Sequence, residues 1–450
     1  MTKSLSMLDE DEWLGEFWAP DDKDDTYPGI LSYSPADGIS LSLQLAFGNE
    51  TMEKSGMLNG YCQKLGLVTL FGCFVKTNGE SNCTTKLPVI FASLLICGTD
   101  TEYVEEGFDR CAFELSNFRE FVHPQGYKLD DKYSKDAISI AEIEGAKISL
   151  KKSVTGTYLA PREISKVIWV NPENDRFMDD IDSASSKVAK KHGIDVLYLK
   201  KDIGTEIVIE SDKKELISYY NLMICSITDL FSKLIVKESV PVWISLFRND
   251  GEKESSYKVL QSILTSPRDI QADKNHHFLT VNYFDIKDNF NNLISTWNAM
   301  YSDSSDFILN VLREHIRGRT NSLQHAVLLI SALEQWFNKY ENDTVGEKKY
   351  DFIMCKYSTD DLNQFLIEKS PVSKKDNESI GQLISSIRST ILHPQRGGEL
   401  DLCAFANISE VIFVVLLRAV FIKLGVSQSA IDKIGVGDVP VFNVQGKIDI

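Results

Sequence analysis

The sequence predicts an α+β chain of several domains. A β-rich N-terminal domain is expected over residues 1–212, a mixed and mostly helical connecting region over 213–300, and an all-α helical bundle over 301–450. Three observations predict this. Apolar residues alternate with period two in the first part, they recur at helical spacing after about residue 213, and turn chemistry separates many short strand-like runs before that point. At 450 residues the chain has room for about three domains of ordinary size.

The strands come first. Ile39, Leu41, Leu43 and Leu45 alternate with small or polar residues, as in a half-buried strand. Further strand-like runs cover 67–75, 89–97, 147–150, 166–170, 194–199 and 206–210. Asn78-Gly79 and Ala36-Asp37-Gly38 supply turn chemistry between them. So many short strands imply a sandwich or a barrel-like domain.

Helices follow. Leu216, Tyr219, Tyr220, Met223, Ile227, Leu230 and Leu234 keep a 3.6-residue spacing. Between 240 and 285 the pattern is mixed: 240–247 fits a strand and 267–275 a loop. From about 288 the chain reads as helical. Ser304, Ser305 and Asp306 are N-cap candidates before Phe307. A helix over 322–340 places Leu323, Val327, Ile330, Leu333 and Phe337 on one face, and 360–369 is a shorter one. Residues 377–392 carry Ile380, Leu383, Ile384, Ile387 and Ile391 at helical spacing. The run 408–424 is apolar nearly all round and belongs in the middle of the bundle, with Gly425 as its stop.

Composition excludes several classes. With 43% hydrophobic and 25% charged residues the chain can bury a core, so disorder as the main state is ruled out. Only 26 Gly and 12 Pro exclude a collagen-like chain. The net charge of −17 disfavours nucleic-acid binding through the whole surface. Residues 301–450 hold 16 basic and 19 acidic side chains, against 32 and 46 in the first 300, so contact with a polyanion belongs in the C-terminal third. None of the eight cysteines forms a C-x-x-C pair, and free thiols in a reducing cytosol are expected. Residues 1–16 lack the basic and apolar regions of a secretory leader. The longest apolar stretch, 411–424, is interrupted by Arg418 and Lys423 and is shorter than the ~20 residues of a membrane span. A cytoplasmic protein without membrane contact, metal or cofactor is expected. No P-loop, G-x-S-x-G or H-E-x-x-H motif is present, so an ATPase, an α/β-hydrolase and a zinc protease have no basis.

Residues 387–394 read Ile-Arg-Ser-Thr-Ile-Leu-His-Pro, which puts Arg388 and His393 five positions apart at the end of an amphipathic helix. The pair suits RNA cleavage without a metal. A 2′-hydroxyl must lose a proton and the leaving 5′-oxygen must gain one, and imidazole can do either near neutral pH. The phosphorane carries extra negative charge, which a guanidinium matches. On an ideal helix the two positions are about 140° apart. Pro394 disfavours helical backbone at His393, so the helix should end there and free the imidazole. The bland alternative is a surface arginine and a histidine capping the helix dipole.

The all-α segment resembles a HEPN domain, whose ribonuclease motif is an R-x₄-H at a helix end. The upstream helix at 328–337 and the final helix ending Leu424-Gly425 share the resemblance. Residues 12–20 (Glu-Trp-Leu-Gly-Glu-Phe-Trp-Ala-Pro), 28–31 (Pro-Gly-Ile-Leu) and 113–121 (Phe-Glu-Leu-Ser-Asn-Phe-Arg-Glu-Phe) resemble the N-terminal domain of ApeA-type anti-phage proteins. The resemblance implies an abortive-infection endoribonuclease that cuts RNA, typically tRNA, after a phage-derived trigger, expected to be a protein. It implies a homodimer or higher homo-oligomer with a composite, metal-independent site. By position, Arg388 becomes the phosphate-stabilising residue and His393 the acid–base. Ser389 departs from the commoner Asn or Asp, Glu334 is a candidate to orient Arg388, and Gln395 and Arg396 are candidate RNA contacts. Two other classes remain: a non-catalytic HEPN interaction module, which Ser389 favours, and a ligand-binding phage sensor on a helical scaffold.

Other clusters carry less. His276-His277 lacks a further ligand at metal spacing. Arg313, His315, Arg317 and Arg319, with His325 nearby, form the densest basic cluster, read as an RNA-contacting patch or a solvated helix end. The acidic residues at 9–12 and 21–25 read as a solvated terminus, and Trp13, Phe17 and Trp18 as core.

Overall fold

Acidic and aromatic residues alternate from Asp11 onward, and that alternation builds a strand pair rather than a solvated terminus. Trp13 and Phe17 point inward while Glu12 and Glu16 face solvent. Strand β1 (Asp11–Ala19) lies antiparallel to β2 (Asp22–Ser34), with Trp13 opposite Leu31 and Phe17 opposite Tyr27. The computed structural model describes residues 5–44, 56–76, 89–99, 104–122, 137–159, 175–193, 197–251, 253–262, 281–302, 306–318, 323–341, 348–370, 372–393 and 402–435. The strand expected at 166–170 and the loop expected at 267–275 lie outside these residues.

The remaining strands are β3 (Gly38–Leu43), β4 (Met57–Cys62), β5 (Gly66–Phe71), β6 (Phe74–Lys76), β7 (Val89–Ala92), β8 (Leu94–Cys97), β9 (Phe108–Leu115), β10 (Ala137–Ile143), β11 (Ala146–Leu159), β12 (Leu197–Glu215), β13 (Pro241–Asp250) and β14 (Lys253–Gln261). Among the described residues these fourteen strands join one antiparallel sheet in the order β10-β11-β12-β9-β13-β14-β8-β5-β4-β1-β2-β3-β7-β6. A sheet this wide curls. Ser262, just after β14, accepts from the Ile39 amide of β3 at 2.9 Å and donates to the Ala92 carbonyl of β7 at 2.6 Å. Strands far apart in the ladder are thereby closed into a barrel-like turn. Gly38 permits the closure: it has φ of +77°, and a Cβ there would sit 2.6 Å from the Ser262 hydroxyl.

The connecting region mixes helix and strand, and its two long strands belong to the sheet. β13 and β14 fill the middle of the sheet, where Ile244 pairs with Phe113 and Val259 with Ile96. The β-rich part runs on to Gln261 instead of ending at 212.

Helix α1 (Phe118–Val122) follows β9, and α2 (Asp175–His192) lies between β11 and β12. Helix α3 (Ile217–Ile235) packs against the sheet, its Tyr220 hydroxyl donating to the Phe108 carbonyl. Helix α4 (Phe290–Tyr301) docks on α3 through Trp297, whose indole N–H donates to the Ser226 carbonyl at 3.0 Å. The bundle continues with α5 (Phe307–Ile316), α6 (Leu323–Trp336, running into a wider turn Phe337–Glu341), α7 (Lys349–Tyr357), α8 (Asp360–Lys369), α9 (Ile380–Leu392), α10 (Leu402–Leu424) and α11 (Gln428–Ile431). One apolar cluster extends from Phe113 and Ile209 of the sheet through Tyr220 and Trp297 to Leu333 and Val415 of the bundle.

The caps explain the helix starts. Asp306 accepts from the amides of Ile308 and Leu309 at the head of α5. Ser379 and Gln382 form a reciprocal capping box on α9. Helix α10 is buried on every side from Ile408 to Leu424, apart from a few edge positions. Its window Ala404–Leu424, 21 residues of mean hydropathy 2.1, is longer than the expected 411–424 run. By length and composition it would reach across a membrane, yet 78% of it is buried as the central helix of the bundle.

Candidate active site

Helix α9 is amphipathic, and the buried row Leu383, Ile384 and Ile387 sets which way its polar residues point. Its first turn is pinned to α7. Asp351 accepts from the Gly381 amide and from the Ser379 hydroxyl, at 2.8 and 2.9 Å. Only glycine fits at 381, because a Cβ would lie 2.6 Å from the Asp351 backbone nitrogen. The helix stops where Pro394 demands it: His393 has φ −128° and ψ 66°, outside the helical region, and its amide donates to the Ser389 carbonyl.

Arg388 follows Ile387 toward α6. Its Nη1 donates to Glu334 Oε1 at 2.8 Å, and about a third of its side chain (34%) stays exposed. Glu334 is more enclosed, at 18%, and serves three donors through the same oxygen. Lys349 Nζ lies at 2.7 Å and the Tyr350 hydroxyl at 2.6 Å. Burial works to raise the Glu334 pKa, but the bonds from Lys349 and Tyr350 and the charge of Arg388 together hold it below its ordinary value. Burial, reinforced by Glu334, pushes the Tyr350 phenol up, so it stays protonated and donates. The Arg388 Nε–H is buried with no hydrogen-bond partner among the described residues. One edge of the guanidinium is thus fixed by a carboxylate and further donors are left over.

The pH behaviour of Glu334 follows in sign. Its folded-state pKa is depressed, so its contribution to stability is present above its ordinary 4.5 and lost as pH falls through the depressed value. Thermal melts between about pH 5 and pH 3 should fall more steeply for the wild type than for Glu334→Gln. Parallel curves would show that the cluster is not pH-coupled to folding.

His393 is exposed at the end of α9. No hydrogen bond joins it to Arg388 among the described residues, so the pair shares a helix end without a direct polar link. Ser389 points elsewhere. It is exposed and lines a shallow groove with Lys375, Glu378, Gln382 and Ser386, one turn before His393 on the same side of the helix. Gln395, Arg396, Arg319 and His276-His277 lie outside the described residues. Arg317, at the end of α5, donates to Glu238 at 2.8 Å, and Arg313 makes a two-point bond to Asp229. His315 and His325 are buried and bonded ring to ring at 3.1 Å; burial first, then the His315 ring, lowers the His325 pKa to about 4. This stretch of α5 is accordingly a set of internal ion pairs and a buried histidine pair. Among the described residues no cluster of three or more His, Cys, Asp or Glu could hold a metal.

Lys349 and Tyr350 were not expected from the sequence. They sit on α7, a nine-residue helix with little apolar periodicity, and no local signal ties them to a glutamate on another helix.

A family model described as ApeA N-terminal domain 1 matches residues 12–297. The match takes in the sheet from Glu12 onward with α3 and most of α4, and ends before the helices that carry Glu334, Arg388 and His393. No curated protein and no solved structure matches the chain.

Proposed function

The chain belongs to the ApeA N-terminal domain 1 family, which makes it an ApeA-type anti-phage defence protein, and from that premise we propose that its helical bundle is a HEPN-like, metal-independent endoribonuclease acting in abortive infection. The observation that carries the reading is a guanidinium anchored by Glu334, partly open to solvent, on the helix that ends at an exposed imidazole. Arg388 offers unused N–H donors to a phosphate. His393 takes the 2′-hydroxyl proton or supplies one to the leaving 5′-oxygen. The products are a 2′,3′-cyclic phosphate and a 5′-hydroxyl. With no hydrogen bond joining the two side chains within one chain, the site on this reading is completed by a second copy, whose Arg–His pair supplies the other proton-transfer group. A structured RNA such as tRNA is the proposed substrate, the sheet region the sensor of a phage protein, and the cytoplasm the place of action.

The test is cleavage of total tRNA by the full-length chain with EDTA present, before and after exposure to phage lysate. Cyclic-phosphate ends that persist in EDTA and disappear in His393→Ala support the reading. Cleavage that EDTA abolishes, or that His393→Ala leaves intact, removes it. A dimeric protein that never cuts RNA under any trigger is an interaction module instead.

A further inference from the structure

Helix α7 turns a basic and aromatic edge to solvent, and that edge starts beside Arg388. Lys348, Phe352 and Lys356 recur at helical spacing and are all exposed. Lys349 Nζ and Arg388 Nη1 bond the same oxygen of Glu334, at 2.7 and 2.8 Å, which sets the first turn of α7 next to the guanidinium. We propose that this edge is a track for unpaired RNA leading to the Arg388 site, with one base stacked on Phe352 and the lysines on the flanking phosphates. The proposal rests on the RNA-cleaving reading and adds where the substrate lies and that it is single-stranded there.

Three contacts lay the edge along α6 and its wider last turn. Lys349 meets Glu334, the Phe352 ring meets Phe337 edge-on with centroids 5.7 Å apart, and Lys356 Nζ bonds Glu341 at 2.6 Å. The edge thus runs for two helical turns, about 10 Å from Lys349 to Lys356. Lys423 of α10 extends it, its Nζ lying 5.0 Å from the centre of the Tyr340 ring, one residue before Glu341.

The charge here is positive after the ion pairs are counted. Lys348, Lys349, Lys356, Lys423 and Arg388 are five cations, and Glu334 and Glu341 are the two carboxylates they bond. Asp351, whose oxygens face Gly381 and Ser379 of α9, makes it five against three. Lys348 and Lys423 are exposed and have no ion-pair partner among the described residues. This excess stands out on a chain of net charge −17. Lysines alone would suit any polyanion; the aromatic ring narrows the choice. Phe352 is 36% exposed, and Lys356 Nζ lies 5.7 Å from its ring centre, so a base contact and a phosphate contact are side by side. A ring set among lysines is the arrangement that holds unpaired strands, because only an unpaired base can bring its face onto it.

Fluorescence anisotropy of the full-length protein tests this, with a labelled 2′-O-methyl oligonucleotide of about twelve nucleotides as the probe. No 2′-hydroxyl reaction can cut it, so binding is read apart from cleavage. The single strand should bind, and its blunt duplex should bind at least about tenfold more weakly. Phe352→Leu keeps an apolar contact for Phe337 and should weaken binding about tenfold without changing its salt dependence. Lys348→Gln with Lys423→Gln breaks no ion pair and should flatten the slope of log K against log salt by about 1.4. Lys190→Gln with Lys191→Gln, at the end of α2, should change neither quantity. Thermal melts check that each variant is folded. No binding of the single strand at low salt overturns the proposal, as does a duplex bound equally well. Wild-type affinity in Phe352→Leu, an unchanged slope in the Lys348 and Lys423 variant, or an equal effect from the α2 variant also overturns it. Binding as expected with no cleavage of ordinary RNA keeps the track and removes the nuclease; cleavage with binding untouched by these changes does the reverse.

Discussion

Arg418→Ala destabilises the folded chain by about 3–5 kcal/mol, measured as a shift of the urea unfolding midpoint at neutral pH. Arg418 sits inside the apolar helix α10 with its side chain 6% exposed. Its Nε donates to the Tyr357 carbonyl at 2.8 Å, and its Nη1 donates to the carbonyls of Ile431 and Ile434. Tyr357 is the last residue of α7, and Ile431 ends α11, so one guanidinium closes the ends of two helices against the central one. Burial pulls the Arg418 pKa below the ordinary guanidinium value, and the exposed carboxylate of Asp432, 3.9 Å away, offsets only part of that. The arginine stays charged because three carbonyl oxygens surround it. Alanine leaves those oxygens without a donor and opens a void. Arg418→Met restores the volume but not the donors, so it should recover only the cavity share of the loss. A midpoint for Arg418→Ala within about 1 kcal/mol of wild type would mean that water reaches those carbonyls freely and the helix ends need no clamp.

How far the sequence reveals this architecture depends on which signals are local. The strand over Gly38–Leu43 is legible because its inward and outward residues differ in polarity at every step. β1 and β2 follow the same period, yet their outward positions are so rich in Asp and Glu that charge density hides the alternation. β13 and β14 are set by partners more than a hundred residues away, and no local pattern announces a central position. Helix α9 is nearly complete in the sequence: Ser379 and Gln382 mark its start, the isoleucine row its buried face, and Pro394 its end. Arg388 and His393 are found by motif. The bond from Arg388 to Glu334, 54 residues upstream, is suggested by resemblance alone, because spacing across two helices carries no register. Arg313 and Arg317 show the opposite case. Their density looks like a polyanion patch, but α3 presents Asp229 and the segment after it Glu238, and the charges turn inward.

On the proposed nuclease reading, Arg388→Ala is expected to lower the RNA-cleavage rate by about 10²–10³ with little change in KM, because a donor aimed at developing phosphorane charge acts mostly in the transition state. Arg388→Lys should rescue only a small part. A lysine keeps the charge, but its single ammonium cannot hold Glu334 and a phosphate oxygen at fixed angles together. Glu334 acts through the arginine and is a positioning residue. Glu334→Gln keeps an acceptor for Arg388 Nη1 but removes the charge that fixes it, so a loss of about tenfold in kcat is expected, smaller than for Arg388→Ala. The double variant Glu334→Gln with Arg388→Ala separates positioning from a general structural role. If Glu334 works only through the guanidinium, the double variant cleaves no more slowly than Arg388→Ala alone. Fully additive losses would instead assign Glu334 a separate task, such as holding Tyr350 and Lys349 of α7 in the fold. A cleavage rate unchanged in Arg388→Ala would place the chemistry elsewhere, and the anchored guanidinium would then be a bundle strut between α6 and α9.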